Sequence, residues 1–578
     1  MALAYGNFDE LSHQLRFLLF EAGIGLSSST VDYFIAIAHR KSLYRLQQAA
    51  LLEGLINQPI HSHHIQDFIT QLRIKLKQYL PESQFFHWQS LSYEMKESIA
   101  NEALALAFRE HWQRQLKRDN HSCENFWKGL TETKSQAELL LFLEQWGCTG
   151  HPTHPNFRAK IGFSRREVLQ YSPEFRARVS IHWCALKKSS AHTTDVPFNY
   201  QSILAEQYPK EFEAWRKHLA FKQFNPDEYY PVPVHPWQWR NQLISQCATL
   251  IDSKTLILLP HHQSLYPSMS FRTMMPEPSH KACHIKLATN IHATSAKRTV
   301  SPASVHNGPR LSQWINQLLG NKNHYEQTLF IARDFTGLRI NDASIAEHGQ
   351  RQLSVLLRQH PVHLLNEQQQ AVPLAALLTA SLNHTSLLID IIQASGLHPL
   401  DYFRNYCDIV LSGQLHFMLS HGIAFEAHQQ NTLLIFSHHR PKGLILRDLG
   451  NIRVCQQAMF DHPNKPELHP ESTITTQNMD EVRHKFIHGN LESNIIYWIH
   501  ALHQHYHISV TKLWKEVRGI VEKALTRIRK DVHPALFNEQ SYKLLNEPWQ
   551  HKCLLSMRLN PIQADYVYYP LPNPLADS

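Results

Sequence analysis

Ser270, Arg272 and Thr273, then Lys286, then the run Thr294-Ser295-Ala296-Lys297-Arg298 make up the stretch of this chain with the most chemical potential. Arginine offers a fixed fork to phosphate or carboxylate, lysine a point charge, and the hydroxyls add further donors. A second cluster, Glu426-Ala427-His428-Gln429-Gln430-Asn431, is followed by Arg447-Asp448-Leu449-Gly450. Its Glu, Asn and Asp oxygens suit a hard metal ion. Together these residues form a kit for handling a nucleotide triphosphate beside an acidic substrate.

The surroundings sharpen that reading. Ser268 to Thr273 reads as a strand, and alternation puts Ser270 and Arg272 on one face. Met269, Met274 and Met275 make the stretch apolar, so a charge within it is expected to be buried for a purpose. Lys286 sits likewise in a strand pattern, where Ile285 and Leu287 alternate with His284, Lys286 and Ala288. Asn431, a strand, a turn, a returning strand and then Asp448 is the order in which kinase-like enzymes present magnesium ligands. No Gly-rich phosphate loop accompanies it, so a kinase-like phosphotransferase is an analogy only.

Two His-Pro segments are weaker signals. Gly150-His151-Pro152-Thr153-His154-Pro155 is stiffened by its prolines. Two readings stay open for it: an anion loop with Arg158 and Lys160, or a rigid corner whose histidines cap backbone groups. Val234-His235-Pro236-Trp237 reads as a strand-to-helix turn.

The elements that must position these residues fall into three regions. Residues 1–146 read as helical, with apolar faces in Phe8–Ala22, Val31–Ile56, Ile65–Leu80 and Tyr93–Leu116. Residues 147–302 read as α+β, with strands near Val179–Cys184, Tyr230–Val234, Thr255–Leu259 and Cys283–Thr289. Residues 303–578 return to helices at Leu311–Leu319, Val372–Ser395, Pro399–Ser420, Asn494–Tyr506 and Val510–Lys530. Among these lies a hairpin of Asn431–Ser437 and Gly443–Arg447, turning through Arg440-Pro441-Lys442-Gly443. Arg333–Ile340 echoes Arg447–Val454, either as a similar hairpin or by chance.

Bulk properties set the bounds. With 578 residues, 43% hydrophobic and 18% charged, the chain is expected to be globular and multidomain. The net charge of +8 is spread without a basic stripe, which argues against a nucleic-acid partner. The chain shows no signal peptide and no run of spanning length, so no membrane partner and a cytoplasmic location are expected. Eight cysteines, Cys123 among them, contain no Cys-x-x-Cys pair and are expected to be reduced. The 41 histidines raise a third reading, a non-catalytic metal- or ferric-siderophore-binding protein, but they are scattered.

The motifs taken in order resemble the NRPS-independent siderophore synthetases, the IucA/IucC-like or aerobactin-synthetase family. The resemblance runs from Gly150 to Leu559. It rests on His-Pro-x-His-Pro, Ser-x-Arg-Thr, the Lys286 to Arg298 segment, Glu-x-His-x-Gln-Asn, Arg-Asp with Gly450, and Met557-Arg558-Leu559. Two departures stand out. A single residue separates Asp448 from Gly450, and Arg158-Ala159-Lys160 replaces the family's Lys-x-Arg.

The resemblance implies a cupped-hand α+β fold with thumb (1–146), fingers (147–302) and palm (303–578). It implies ATP-dependent adenylation of a carboxylate of citrate, a citrate monoamide or 2-oxoglutarate, then condensation with an amine. Ser270, Arg272, Thr273 and Lys286 would hold the ATP phosphates, and His154 and Arg158 would bind ATP with them. Thr294, Arg298 and His428 would hold the acid. Glu426, Asn431 and Asp448 would serve Mg2+ and the nucleotide. His428 and Arg298 are the catalytic candidates, and a homodimer is the family expectation.

Overall fold

Helical periodicity in the first quarter is borne out. In the computed structural model, Phe8–Glu21, Ser28–Leu52, Ile65–Tyr79, Trp88–Asp119, Phe126–Thr133 and Gln136–Trp146 are helices. Ser27, Asn125 and Ser135 cap three of them through side-chain oxygens. The structure describes residues 8–119, 125–294, 296–320, 325, 328–345, 347–383, 385–457, 464–560 and 566–576. The opening residues, Cys123 and Ser295 lie outside them.

The centre is an eight-stranded sheet. Its order is Ala191–Thr194, Asp334–Ile340, Ser354–Arg358, His284–Leu287, Thr273–Met275, Leu256–Pro267, Val179–Lys187, Tyr229–Val234. Thr273 pairs with Lys286, and Leu356 pairs with Lys286 from the other side. Lys286 thus sits mid-sheet, flanked by both neighbours. A four-stranded sheet orders Leu329–Ile331, Arg440–Leu446, Thr432–Ser437 and Gln369–Pro373. Its hairpin ends bring Asn431 beside Arg447, whose N–H donates to the Asn431 carbonyl at 3.0 Å.

Two large apolar cores result. One joins the first four helices to the central sheet, with Trp183, Trp215 and Phe68 fully buried. The other joins Trp112, Phe126, Trp127 and Trp146 to the C-terminal helices. There Tyr406 stacks on Trp498 at 3.5 Å between ring centroids. The helix Pro399–His421 ends on Gly422, whose φ of 61° suits a glycine stop.

Four local readings are corrected. Ser270 to Arg272 form a turn between strands, because Phe271 takes φ 48°, so alternation does not apply. The hairpin turns at His438 and His439, with φ 50° and 63°, and Arg440 already belongs to the strand Arg440–Leu446. Val372–Ser395 is not one helix. The strand Gln369–Pro373 and the short helix Leu374–Leu377 precede a separate helix, Leu387–Ser395, entered at Ser386. Arg333–Ile340 is a sheet strand from Asp334, whereas Asp448 follows a strand and is left-handed at φ 68°, so the echo is chance. Among the described residues no helix is long and apolar enough to cross a membrane. The seven described cysteines are free and buried.

Candidate active site

One cleft of about 370 Å³ gathers most of the residues singled out above. Ser270, Arg272, Lys286, Thr294, Arg298, Glu426, His428, Asn431 and Asp448 all line it. The sheet supplies Lys286, two loops supply Arg272 and Arg298, and the hairpin ends supply Asn431 and Asp448.

Lys286 and Asp448 form its centre. The lysine Nζ donates to both Asp448 oxygens at 2.8 Å. Arg358 approaches the same carboxylate at 3.6 Å and is itself held by Asp334 at 2.7 Å. Burial would raise the Asp448 carboxyl, but Lys286 and Arg358 hold it well below the usual range. Burial pushes the Lys286 ammonium down to about 8 despite the Asp448 charge. Burial, followed by Arg298, brings Arg272 down to about 10. This side of the cleft is therefore a concentrated positive field around the Asp448 carboxylate.

The turn carrying Ser270 is internally braced. Ser270 Oγ donates to Thr273 Oγ1 at 2.9 Å, and the Leu287 N–H donates to the Arg272 carbonyl at 2.9 Å. The Arg272 guanidinium donates to the Thr299 carbonyl. Thr273 itself is buried below the turn and does not reach the cleft wall. Arg298 Nη2 donates to Thr294 Oγ1 at 2.6 Å and to the Ala293 carbonyl at 2.9 Å.

The opposite wall is acidic and imidazole-rich. Glu426 accepts from Lys485 at 2.8 Å and from Asn451 at 3.2 Å. Burial opposes its ionisation, yet Lys485 and His428 bring it down to about 2. His428 Nε2 lies 3.9 Å from Glu426, and burial lowers its imidazole further than Glu426 raises it. Asn431, which lines the cleft, donates from Nδ2 to the Glu426 carbonyl at 3.2 Å.

The His-Pro-x-His-Pro segment contributes differently from expectation. His151 lines the cleft, whereas His154 is fully buried behind it and brought down to about 3 by burial, then by Arg298. Arg158 also reaches the lining, but its guanidinium is committed to Glu102 at 2.7 Å and Glu174 at 3.1 Å. Lys160 meets the same Glu174 at 2.5 Å. Both cations of Arg158-Ala159-Lys160 are thus neutralised by the protein.

Several residues that shape the site escape the motif reading. Arg358 and Asp334 steady Asp448, Lys485 neutralises Glu426, and Glu144 ties Arg447 at 2.6 Å to the Met269 N–H at 2.8 Å. A signal existed for Arg358: it closes the apolar strand Ser-Val-Leu-Leu-Arg, the same buried-charge pattern that marked Lys286.

A model of the IucA / IucC family matches residues 139–379, the span that holds Ser270 to Arg298. Residues 139–379 carry an IucA/IucC-family region. A second model, described as Ferric iron reductase FhuF-like transporter, matches residues 400–567. Among relatives is the citryl-spermidine/3,4-dihydroxybenzoyl-citryl-spermidine:spermidine ligase of Bacillus anthracis, 29% identical over 53% of this chain and 50% of that enzyme. The alignment thus spans half that ligase's length. Staphyloferrin A synthase of Staphylococcus aureus is 26% identical over 78% of this chain and 76% of its own. The fold of this chain matches petrobactin biosynthesis protein AsbB of B. anthracis over 99% of this chain and 98% of that one, at TM-score 0.79 and 20% identity. It also matches ATP-bound aerobactin synthetase IucA of Klebsiella pneumoniae over 90% and 87%, at TM-score 0.70 and 20% identity.

Proposed function

We propose that this chain activates a carboxylate of citrate, or a related acid, as an acyl-adenylate and condenses it with an amine. ATP is consumed, and AMP and pyrophosphate are released. The observation that carries the reading is the convergence of Arg272, Lys286 and Arg298 on one cleft opposite Glu426, His428 and Asn431. The named relatives that join citryl groups to amines, and the ATP-bound neighbour, support the same chemistry.

The physical logic follows from the charges. A carboxylate and a triphosphate repel, so attack on the α-phosphate needs cations that hold both in line. Ser270, Arg272 and Lys286 face the phosphates, while Thr294, Arg298 and His428 face the acid. Arg298 lies between the groups and is the residue we assign to the shared negative charge. His154 backs the wall of this cleft, and Arg158 forms part of it.

Magnesium fits the donor set. Asp448, Glu426 and Asn431 offer hard oxygens, and among the described residues no group of three His, Cys, Asp or Glu forms a metal cage. Few protein oxygens plus substrate phosphates is the way magnesium is usually held. Asp448 and Asn431, with Glu426, would hold it, and the ion would supply charge neutralisation at the phosphates.

Product analysis tests the proposal. Protein incubated with ATP, magnesium, citrate and a panel of amines is expected to form AMP and pyrophosphate only when acid is present. ADP in their place would mean a phosphotransferase, and the proposal would be withdrawn.

A further inference from the structure

The π-helix Ile487–Ile495 carries a pair of side chains that the function proposed above does not use. His488 Nδ1 lies 3.0 Å from Glu492 Oε2, and His551 Nδ1 lies 3.2 Å from Glu492 Oε1. Burial would raise the Glu492 carboxyl, but hydrogen bonds from both rings bring it down to about 2. An ionised carboxylate only accepts, so Nδ1 of each ring carries hydrogen and Nε2 is the basic nitrogen. His488 Nε2 has no hydrogen-bond partner among the described residues, and the side chain is 20% exposed.

The ring is near the cleft. His428 and His151 line it, and a protonated His488 would disfavour the cationic form of each; His488 itself stands behind that lining. Ser493, on the same π-helix, is part of the cleft wall. Gly489 packs against the Ala427 backbone so closely that an added Cβ would stand 3.2 Å from the Ala427 nitrogen. Single π-turns inserted in helices often mark functional positions. The charged groups facing His488 are Glu492, Lys552 and Lys485, with His551 across Glu492. Burial and the two lysines lower its imidazole, and Glu492 opposes them. The net lowering keeps the ring neutral and able to accept a proton at neutral pH.

We propose that His488, oriented by Glu492, is the base that takes the proton from the amine co-substrate during amide formation. The inference rests on the synthetase reading and concerns its second half only. An alkyl amine arrives as an ammonium ion and has no free lone pair. Its surplus proton passes to His488 Nε2, and the freed pair forms the C–N bond to the acyl carbon. The bond between that carbon and the phosphate oxygen breaks, and its electron pair leaves on AMP. The remaining extra proton on nitrogen goes to solvent. His428 is left to hold the acid, and the carboxylate of Glu492 plays the part that orients a base in other His–carboxylate pairs.

Hydroxylamine separates the two halves of the reaction, because it is largely neutral at pH 7 and captures an acyl-adenylate without a base. The full chain would be assayed with ATP, magnesium and citrate, using hydroxylamine or the alkyl amine that wild type accepts. In His488→Asn, hydroxamate is expected to stay within about threefold of wild type while amide formation falls on the order of 100-fold. The deficit should narrow as pH approaches the amine's own pKa. Glu492→Gln should lose less, and its acid limb should move to lower pH, because the imidazole has lost its anion. Equal losses of hydroxamate and amide, or no loss of either, would overturn the assignment. A wild-type chain that forms neither hydroxamate nor AMP with any acid would instead bring down the synthetase reading beneath it.

Discussion

Lys286 shows how one residue's surroundings set its chemistry. Two neighbouring strands bury it, Asp448 keeps it charged, and Arg272 and Arg358 push the other way. Its ammonium sits at about 8, so it is charged below that pH and neutral above it. A triphosphate would favour the charged form and raise the value. ATP binding is therefore expected to take up protons at pH 8 to 9 and to release or take up few at pH 6. Calorimetry in two buffers of different ionisation enthalpy reads that uptake, and Lys286→Met should abolish it. Arg298 makes a separate prediction. Its guanidinium is already oriented by Thr294 and the Ala293 carbonyl, so it is ready to receive an anion without rearrangement. Arg298→Ala should lower acid-dependent AMP formation on the order of 100-fold, as loss of a preorganised donor does elsewhere. Binding of ATP alone, followed by fluorescence, should change much less.

At the scale of elements, what could be read in the sequence depended on whether a rule of spacing applied. Lys286 was legible because strand alternation made its burial costly without a partner. Asp448 was legible as a polar residue closing an apolar hairpin. Ser270 and Arg272 share the cleft for another reason than alternation: a turn with Phe271 left-handed brings both to one side. No pattern in the sequence distinguishes that turn from a strand. The partners Asp334 and Lys485 were illegible because they come from segments far away in the chain. The π-helix was equally hidden, since its widened turn leaves the apolar spacing of a helix almost intact. That element makes a prediction of its own. Asn494 Nδ2 donates to the carbonyls of Ala427, at 2.5 Å, and Gly489, at 3.0 Å, which clamps the π-helix onto the Glu426–His428 loop. Gly489→Val would place branched carbons against the Ala427 backbone. Overpacking of this kind costs roughly 1–3 kcal/mol. The expected result is a lower melting temperature together with a raised KM for the acid, because Glu426 and His428 move with the loop.

Across the whole molecule, the N-terminal helices and the cleft are joined by a buried chain of charges. Lys41, on the helix Ser28–Leu52, meets Glu102 at 2.5 Å on the helix Trp88–Asp119. Glu102 meets Arg158 at 2.7 Å, and Glu174 then holds both Arg158 and Lys160 beneath the cleft. Burial would raise the Glu102 carboxyl, but Arg158 and Lys41 hold it below its ordinary 4.5. Removing Glu102 leaves Lys41 without its carboxylate and Arg158 with Glu174 alone, and breaking a buried ion pair costs up to about 3–5 kcal/mol. Glu102→Gln keeps the shape and removes the charge, so it should destabilise the chain by that order at neutral pH. The sign of the pH dependence follows from the lowered folded value. The stabilisation from Glu102 is fully present above pH 4.5 and is lost as pH falls through its folded-state pKa. Thermal unfolding of wild type and Glu102→Gln should therefore differ most near neutrality, and the gap should close as pH drops below 4.5. Other carboxylates also protonate there, but they do so in both proteins, so the difference isolates Glu102. A gap unchanged from pH 7 to pH 3 would show that the variant acts through packing, and that the charges do not join the helices to the cleft.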